Sequence, residues 1–401
     1  MTASESGLPE PPARGRRPRN RRELIVAAAA ELFYRRGYSR VGMNDVADAV
    51  AISRPALYRH FTGKQQMLTE VVGQAIARTA EALAGADTDD LDSVLRAVGR
   101  AVLDHREAGV LWQRDSRHLP AEQRTLLREQ TQDIGRMITG LLLARRPELT
   151  EPAASLLTWC ALAVATSVSF HNLELPREDY EDLLADMVRQ VVGTTLPRPS
   201  PRKAGEPEAV RPALTSQSRW ETLLATATTL FAEQGYASVG MHDIAAAVGI
   251  AGPSIYHHFA GKSDILVQAM NRGAEWLRYD MERALAGASD HAAGLHLLLR
   301  AYSGFVLEHN HLVDLLINEA SELPAATRLQ VSRTARDYLG DWAYLLRVVH
   351  PELDETRALI RVQAVLSVIN NIARSPRLRQ VPGVAESLQR IGAAVLKLPR
   401  L

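Results

Sequence analysis

Six arginines fall between residues 14 and 22, at Arg14, Arg16, Arg17, Arg19, Arg21 and Arg22, with no acid among them. Guanidinium groups at that density attract phosphates, and the counterions they displace add a favourable entropy. Taken alone, the cluster would serve equally as a solvated tail. A second pattern with chemistry in it stands further along. Tyr58, His60 and Lys64 lie in the string Tyr-Arg-His-Phe-Thr-Gly-Lys, and Tyr256, His258 and Lys262 lie in Tyr-His-His-Phe-Ala-Gly-Lys. The same Tyr-x-His-Phe-x-Gly-Lys pattern is thus written twice in the chain. The adjacent His257 and His258 face different ways on a helix, so they do not form a metal pair. Neither a metal nor a cofactor is expected.

Other chemistries are excluded by what the sequence lacks. There is no His-Glu-x-x-His, no phosphate-binding glycine loop, no dinucleotide fingerprint and no nucleophile placed beside a base, so the chain does not read as an enzyme. Cys160 is the only cysteine, which leaves no disulfide framework and no zinc knuckle, and its apolar neighbours mark it as a small core residue. The first residues are polar, Pro-rich and Arg-rich. The longest apolar run, Trp159 to Val168, is interrupted by Thr166 and Ser167 and is short for a bilayer. A cytoplasmic protein with no membrane partner is the expectation. At 401 residues, with 46% apolar and 23% charged content and a net charge of +1, the chain has the composition of a globular protein of two domains or more.

The elements that must hold these strings come twice. Sliding the sequence by 198 residues lays Leu32-Phe33 on Leu230-Phe231, Gly37-Tyr38 on Gly235-Tyr236, Val41-Gly42-Met43 on Val239-Gly240-Met241, and His60-Phe61 on His258-Phe259. Almost half the positions from 22 to 68 are identical to their partners without a gap. At an offset of 204, His105 meets His309, Leu119-Pro120 meets Leu323-Pro324, and Pro147-Glu148-Leu149 meets Pro351-Glu352-Leu353. The whole unit is therefore duplicated, and each copy has the size of a domain rather than of a solenoid repeat. Between the copies, residues 193–217 carry Pro197, Pro199, Pro201, Pro207 and Pro212 and read as a semi-extended linker.

Outside the tail and the linker the pattern predicts helix throughout. Leu24 to Arg36 sets Leu24, Ala28, Leu32 and Phe33 on one face and stops at Gly37. A short helix follows from Val41 to Val50. Ser53 is a suitable N-cap, and Pro55 falls in the first turn of a helix reaching Phe61, where its missing N–H does no harm. Val46, Leu57 and Phe61 join Phe33 in the expected core. A long helix runs from Lys64 to Leu83, and further helices are predicted over 91–107, 110–117, 121–144, 152–171 and 177–192. The second copy repeats the plan and closes with 355–374 and 384–396. No strand alternation appears, and the fold class is all-α.

Two short helices joined by a tight turn on a longer first helix make a helix-turn-helix arrangement. One helix braces against the phosphate backbone and the next offers its N-terminal residues to the major groove. The segments here are 44–50 with 54–61, and 242–248 with 252–259. The string Gly-Met-Asn-Asp-Val-Ala-Asp-Ala-Val-Ala-Ile-Ser-Arg-Pro-Ala-Leu-Tyr-Arg-His-Phe-Thr-Gly-Lys from Gly42 to Lys64, and its copy from Gly240 to Lys262, resemble the signature of TetR-type regulators. The resemblance covers both front segments well. Behind them it covers only length and helical pattern.

What the resemblance implies is a pair of tandem units, each an N-terminal helix-turn-helix DNA-binding domain plus a helical ligand-binding and dimerisation domain. The corresponding boundaries are a disordered basic arm over 1–20, DNA-binding domain one over 21–66, ligand and dimerisation domain one over 67–192, the Pro-rich linker over 193–217, DNA-binding domain two over 218–264, and ligand and dimerisation domain two over 265–401. The implied partner is a double-stranded DNA operator. In the first copy the implied contacts are Arg16, Arg17 and Arg19 in a minor-groove arm, then Asn44, Ser53, Arg54, Pro55, Tyr58, Arg59, His60 and Lys64. In the second they are His242, Gly252, Pro253, Tyr256, His257, His258 and Lys262. Arg54, at the start of its helix, is placed to fork onto guanine or to grip phosphate.

The two copies differ in charge. From Arg14 to Lys64 the bases far outnumber Glu23, Glu31, Asp45 and Asp48, whereas from Arg219 to Asp264 only Arg219 and Lys262 face Glu221, Glu233, Asp243 and Asp264. Phosphate attraction dominates affinity, so the first copy is expected to be the stronger reader. Behind the heads, candidate ligand-lining residues are His105, Trp112, Trp159 and Phe170, and Tyr302, Phe305, His309 and Trp342, with Tyr344 beside them. The same side chains would also serve as ordinary core. The resemblance implies an unidentified small effector, an acyl-CoA-like or other hydrophobic compound, whose binding releases a repressor from DNA. It also implies a dimer, built either as an intramolecular pseudo-dimer of the two units or as a homodimer of chains. The alternative is an architectural or co-regulatory DNA binder with no small-molecule effector.

Overall fold

The computed structural model describes residues 21–197 and 218–400. Arg16, Arg17 and Arg19 of the arm, and most of the Pro-rich linker, lie outside the described residues. Among the described residues every regular element is helical. The first copy contains α1 (Arg21–Arg36), α2 (Met43–Ala49), α3 (Arg54–Tyr58), α4 (Lys64–Ala84), α5 (Leu91–Asp104), α6 (Arg106–Asp115), α7 (Ala121–Arg145), α8 (Glu151–Thr166) and α9 (Arg177–Gly193). The second contains α10 (Arg219–Gln234), α11 (Met241–Val248), α12 (Lys262–Ala286), α13 (His291–Glu308), α14 (Asn310–Asn318), α15 (Ala325–Val349), α16 (Glu355–Arg374) and α17 (Val384–Val395).

Three departures from the sequence pattern have local causes. The predicted helix over 91–107 breaks at His105, whose backbone (φ −132°, ψ 48°) leaves the helical region, and α6 starts again at Arg106. The predicted helix over 152–171 gives way after Thr166 to a 3-10 turn, Ser167–Phe170. That turn seats directly on α6, where a side chain in place of Gly109 would collide with Ser169. The third departure is at the second recognition segment, which is a 3-10 turn over Gly252–His257 where the first copy has α3. Gly252, Ser254 and the β-branched Ile255 replace Arg54, Ala56 and Leu57, and all three favour the α-helix less.

Each head is a three-element cluster on the N-terminal part of a long helix. In the first, Ile25, Phe33, Val46, Leu57, Phe61, Met67 and Leu68 are fully or almost fully buried. Each large apolar side chain removed from water in this way contributes roughly 1.5–3 kcal/mol. The second head repeats the core with Leu223, Phe231, Ile244, Ile255, Phe259, Ile265 and Leu266. Behind the heads, α4 packs on α5, α6 and α7, and α12 packs on α13, α14 and α15. The last helices, α16 and α17, pack on each other and on α13.

By density of contacts, one compact unit takes in the described residues up to 158 together with 165–185, and the other takes in 159–164 together with those from 186 onward. The last turns of α9 thus belong with the second unit. There the Asp186 carboxylate accepts from the buried Arg361 and, at 2.9 Å, from Lys397. Arg361 also donates to the Val395 carbonyl at 2.7 Å, which ties the end of α17 to α16. Residues Glu151–Phe170 are long and apolar enough, by length and composition, to cross a membrane, but most of that stretch is buried inside the fold. Cys160 lies within it, fully buried, and burial pushes its thiol pKa up.

Candidate nucleic-acid interface

The geometry of each head follows from where its chain must turn. Gly37 ends α1 with φ 83° and Gly235 ends α10 with φ 85°, a left-handed conformation that costs a glycine little. The turn between the two short helices also needs a left-handed residue. In the second copy this is Gly249, φ 72°, and in the first it is Ala51, φ 51°. Both close the same pair of reversed hydrogen bonds: Ala51 N–H to Asp48 and Ile52 N–H to Ala47, Gly249 N–H to Ala246 and Ile250 N–H to Ala245. Asp45 and Asp243 begin the preceding helices by accepting the Gly42 and Gly240 N–H groups at 2.7 and 2.8 Å.

α3 then offers its outer face. Ser53, Arg54, Pro55, Tyr58 and Arg59 are exposed, with Asn44 exposed on α2 and His60 half-buried at the end of the turn. Leu57 is fully buried and fixes that orientation. Arg54 and Tyr58, one helical turn apart, lie side by side: the guanidinium is 5.5 Å from the ring centroid and 3.4 Å from the phenol oxygen. Ser53 stands at the N-cap position, yet its side chain makes no capping bond. Its hydroxyl is therefore available to a phosphate, and the expected capping role is not the one observed.

In the second copy His242, Pro253, Tyr256, His257 and His258 are exposed and Gly252 is half-buried. Tyr256 has 59% of its surface exposed. His242 sits against the start of the recognition segment, where a Cβ at Gly252 would lie 3.4 Å from the His242 Nδ1. The cation of Arg54 has no counterpart here.

Lys64 and Lys262, expected as phosphate contacts, are engaged elsewhere. The Lys64 ammonium donates to the carbonyls of Tyr38 (2.9 Å) and Val41 (3.2 Å) and lies 4.4 Å from the Tyr38 ring centroid. Lys262 repeats this with Tyr236 (2.9 Å), Val239 (3.1 Å) and the Tyr236 ring (4.4 Å). Each lysine ties the loop after the first helix of its head to the start of the long helix. Desolvation lowers the Lys64 pKa, opposed by the nearby Asp115, while burial and then Asp115 push Tyr38 up to about 12.

Residues whose bracing role sequence reasoning missed hold the heads in place, among them Arg22, counted there with the phosphate-attracting arginines. Arg22 reaches from α1 across to α4, where its Nη2 meets Glu70 at 2.8 Å and its Nε at 3.2 Å. Its Nη1 donates to the His60 carbonyl at 2.8 Å, and the guanidinium lies 4.3 Å from the Phe61 ring centroid. The second copy inverts the charges: Glu221 on α10 receives Arg272 of α12 at 2.6 and 2.8 Å. At the position of Arg22 stands Trp220, stacked on Phe259 at 5.5 Å and covered by the Arg272 guanidinium at 5.0 Å. Arg114 on α6 donates to the Phe33 carbonyl at 2.9 Å, joining the end of α1 to the helices behind it.

The structure scatters the candidate ligand residues of the first copy. His105 joins α5 to α6, Trp112 packs against the head core, Trp159 falls in the second compact unit, and Phe170 ends a 3-10 turn. A half-buried polar cluster around the buried His171, not foreseen from sequence, lies nearby. Arg106 donates to the carbonyls of Val168, His171 and Leu173, Tyr34 donates to Asn172 at 2.9 Å, and His171 Nδ1 accepts the Leu173 N–H at 3.2 Å. Desolvation, then the charge of Arg106, lowers His171 to about 4.

In the second copy the four candidates separate into two places. Tyr302 and Trp342 lie in a buried cluster with Tyr338, and Tyr302 donates to Asn370 at 2.9 Å. Burial pushes the Tyr302 pKa up to about 12. Phe305 and His309 instead meet Trp276 on the outer side of α12 and α13. Tyr344 is largely exposed, and among the described residues no three His, Cys, Asp or Glu side chains gather as a metal site.

A pair of helix-turn-helix heads, each closed by a lysine turned inward onto its own loop, is the class of site the fold defines. The family model described as "Bacterial regulatory proteins, tetR family" matches residues 25–71 and again 223–269, the two heads. The chain therefore carries the segment this model describes twice, once in each head. It is 34% identical over 111 residues to the HTH-type transcriptional activator FasR of Mycolicibacterium smegmatis, covering 26% of this chain and 45% of that protein. It is 33% identical over 115 residues to the HTH-type transcriptional repressor KstR2 of Mycobacterium tuberculosis, covering 28% of this chain and 56% of that one. The chain thus spans about half the length of the curated relatives it matches. Among solved structures, a TetR-family regulator from Bordetella parapertussis superposes with a TM-score of 0.42 at 17% identity, over 46% of this chain and 100% of that one.

Proposed function

We propose that the chain is a sequence-specific DNA-binding transcriptional regulator, a repressor released by a small, largely apolar ligand, with the first head as the stronger reader. The observation that carries the reading is the exposed Arg54–Tyr58 face of α3, set over a buried Leu57 and flanked by Asn44, Ser53 and Arg59. A guanidinium at the start of a recognition helix can engage a guanine edge or a phosphate. The matched relatives include one named an activator and one named a repressor. Repression is the simpler reading, because occupying an operator blocks it without any further contact.

The ligand half of the reading draws support from the second copy, where Tyr302, Asn370 and the wholly buried Ser303 put polar groups among apolar helices. Such groups orient ligands in enclosed sites. Two heads on one chain would read two unlike half-sites about 34–36 Å apart, as an intramolecular pseudo-dimer or as half of a homodimer. A protection footprint on the DNA upstream of the chain's own gene, with competitor DNA present, tests the reading. The expected result is one protected site with stronger protection over one half, and the mass of the complex gives the number of chains. Absence of any protection would overturn it.

A further inference from the structure

A groove of about 670 Å³ runs between the outer faces of α12 and α13. One end is aromatic: Trp276, 41% exposed, meets His309 at 4.8 Å and Phe305 at 6.2 Å between ring centroids. The other end holds Arg283 and Arg300. Arg283 pairs with Asp280 at 3.3 Å, whereas the exposed Arg300 pairs with no carboxylate among the described residues. Between the two ends Gly304 stands inside α13, and a Cβ built on it would meet nothing within 4 Å. Glycine inside a helix is destabilising by roughly 0.5–1 kcal/mol relative to alanine. No packing neighbour demands it here, and its effect is to leave the floor of the groove open.

The first copy has closed the same surface with charge. At the place of Trp276 stands Arg78, bonded to Glu81 at 3.0 Å, and at the place of Gly304 stands Arg100, 3.6 Å from Glu181. The counterpart of Arg300 is Arg96, held between Asp92 at 2.8 Å and Asp182 at 2.6 Å. At these two positions the first copy thus holds ion-paired arginines where the second holds Arg300 and Gly304.

We infer that the α12–α13 groove is a binding site for a small amphipathic carboxylate. Its flat apolar group lies on Trp276 and Phe305, and its carboxylate reaches Arg300 and Arg283. Arg283 lies seven positions after Trp276 on α12, which sets the reach of the ligand at roughly 10 Å. Glu308, at the aromatic end, repels a carboxylate placed there and so fixes the direction of binding. The groove also adjoins the clamp of the second head. The Arg272 guanidinium lies 5.8 Å from the Trp276 ring and 5.0 Å from that of Trp220, so an occupant of the groove presses on the residue that holds α10 to α12. This consequence for DNA rests on the regulator reading above, whereas binding in the groove does not.

The test is calorimetric titration of the full chain, free of DNA, with phenylhexanoate as the probe and phenylhexanol as its uncharged match. Saturable binding of the acid is expected, with the alcohol at least about tenfold weaker. Arg300→Ala should weaken the acid about tenfold and leave the alcohol unchanged. Gly304→Leu should abolish binding of both by filling the groove, while the better helix former keeps the fold intact. Equal binding by the wild type and both variants, or no saturable binding at millimolar probe, overturns the site. Operator affinity measured separately with bound probe distinguishes the two readings: binding with no change in DNA affinity removes the regulatory consequence and leaves the site standing.

Discussion

The two heads share a scaffold and little else. The residues that end the first helix, cap the second and tie the loop to the long helix recur: Gly37 and Gly235, Asp45 and Asp243, Lys64 and Lys262, with Phe61 and Phe259 in the core. The faces they hold have diverged. α3 presents Arg54 beside Tyr58, while its counterpart presents Tyr256 and two histidines from a 3-10 turn begun by Gly252. Even the braces between heads and long helices are inverted in charge, Arg22 to Glu70 in one and Glu221 to Arg272 in the other. A fold constrained by backbone geometry and apolar packing does not depend on the sign of a surface pair or on which side chain faces outward. Duplication therefore leaves those features open to change first.

The largest difference should appear in acid, behind the first head. His171 is 9% exposed, its Nδ1 accepts an N–H, and its pKa is lowered to about 4, whereas Ser375 occupies the matching place. The unfolded chain takes up this proton near pH 6.5 and the folded chain only near 4. Stability of the first copy is thus fully present above about pH 6.5 and falls as pH drops toward 4, by at most about 3 kcal/mol. Hydrogen exchange resolved by peptide should show α6 and α9 opening in that window while α14 and α16 stay protected. His171→Gln should flatten the dependence, and an unchanged pH profile in that variant would sink the assignment.

Next in size is the difference in DNA reading. Arg54→Ala should weaken operator binding by roughly 1–3 kcal/mol, in the range of a lost bidentate base contact. Tyr256→Ala or His257→Ala should cost far less. Gly252→Arg sharpens the comparison from the other side. The added Cβ meets His242 at an ordinary 3.4 Å, so the second head should gain affinity and salt dependence. Anisotropy titrations at a fixed salt concentration measure all of these. Equal losses from the two heads would break the asymmetry.

The inverted clamps should differ less. Arg272→Ala removes a bidentate pair and a guanidinium lying over Trp220, at a site where the two partners are 26% and 38% exposed. A loss of about 1–2 kcal/mol is expected in denaturant unfolding. Arg22→Ala, with its arginine 44% exposed, should lose about 1 kcal/mol, because solvent screens the pair more. Glu70 and Glu221 both have lowered pKa values, chiefly through the hydrogen bonds from their arginines. Each clamp therefore acts above the ordinary carboxylate range and weakens as pH falls through it.

The signature string was legible because its residues are local: a turn, a cap and an apolar spacing lie within a few positions of each other, and the repeat supplied a second reading of each. The direction of Lys64 was not legible. Its partners, the carbonyls of Tyr38 and Val41, lie 26 and 23 residues away, and nothing in the spacing says that the ammonium turns inward. The clamps join residues 48 and 51 apart, with opposite signs in the two copies, so no shared pattern marks them. The aromatic candidates behind the heads were read as one group per copy, but a helix has two sides. Tyr302 and Phe305 share α13, yet the first reaches Asn370 in the interior and the second reaches Trp276 on the outer groove.

The smallest difference is also the most local, and it tests whether the two turns are truly the same turn. Ala51 holds φ 51° where Gly249 holds φ 72°, with the same reversed hydrogen bonds around each. A left-handed conformation costs a residue with a Cβ about 1–2 kcal/mol, part of which glycine gives back through its freer unfolded chain. Ala51→Gly should therefore stabilise the first head by roughly 0.5–1 kcal/mol, and Gly249→Ala should destabilise the second by a similar amount. Both are measurable as shifts in the denaturation midpoint at constant slope. If Ala51→Gly instead destabilises, the methyl group makes a packing contribution larger than the strain it carries. The first head would then have adapted its turn to alanine rather than merely tolerated it.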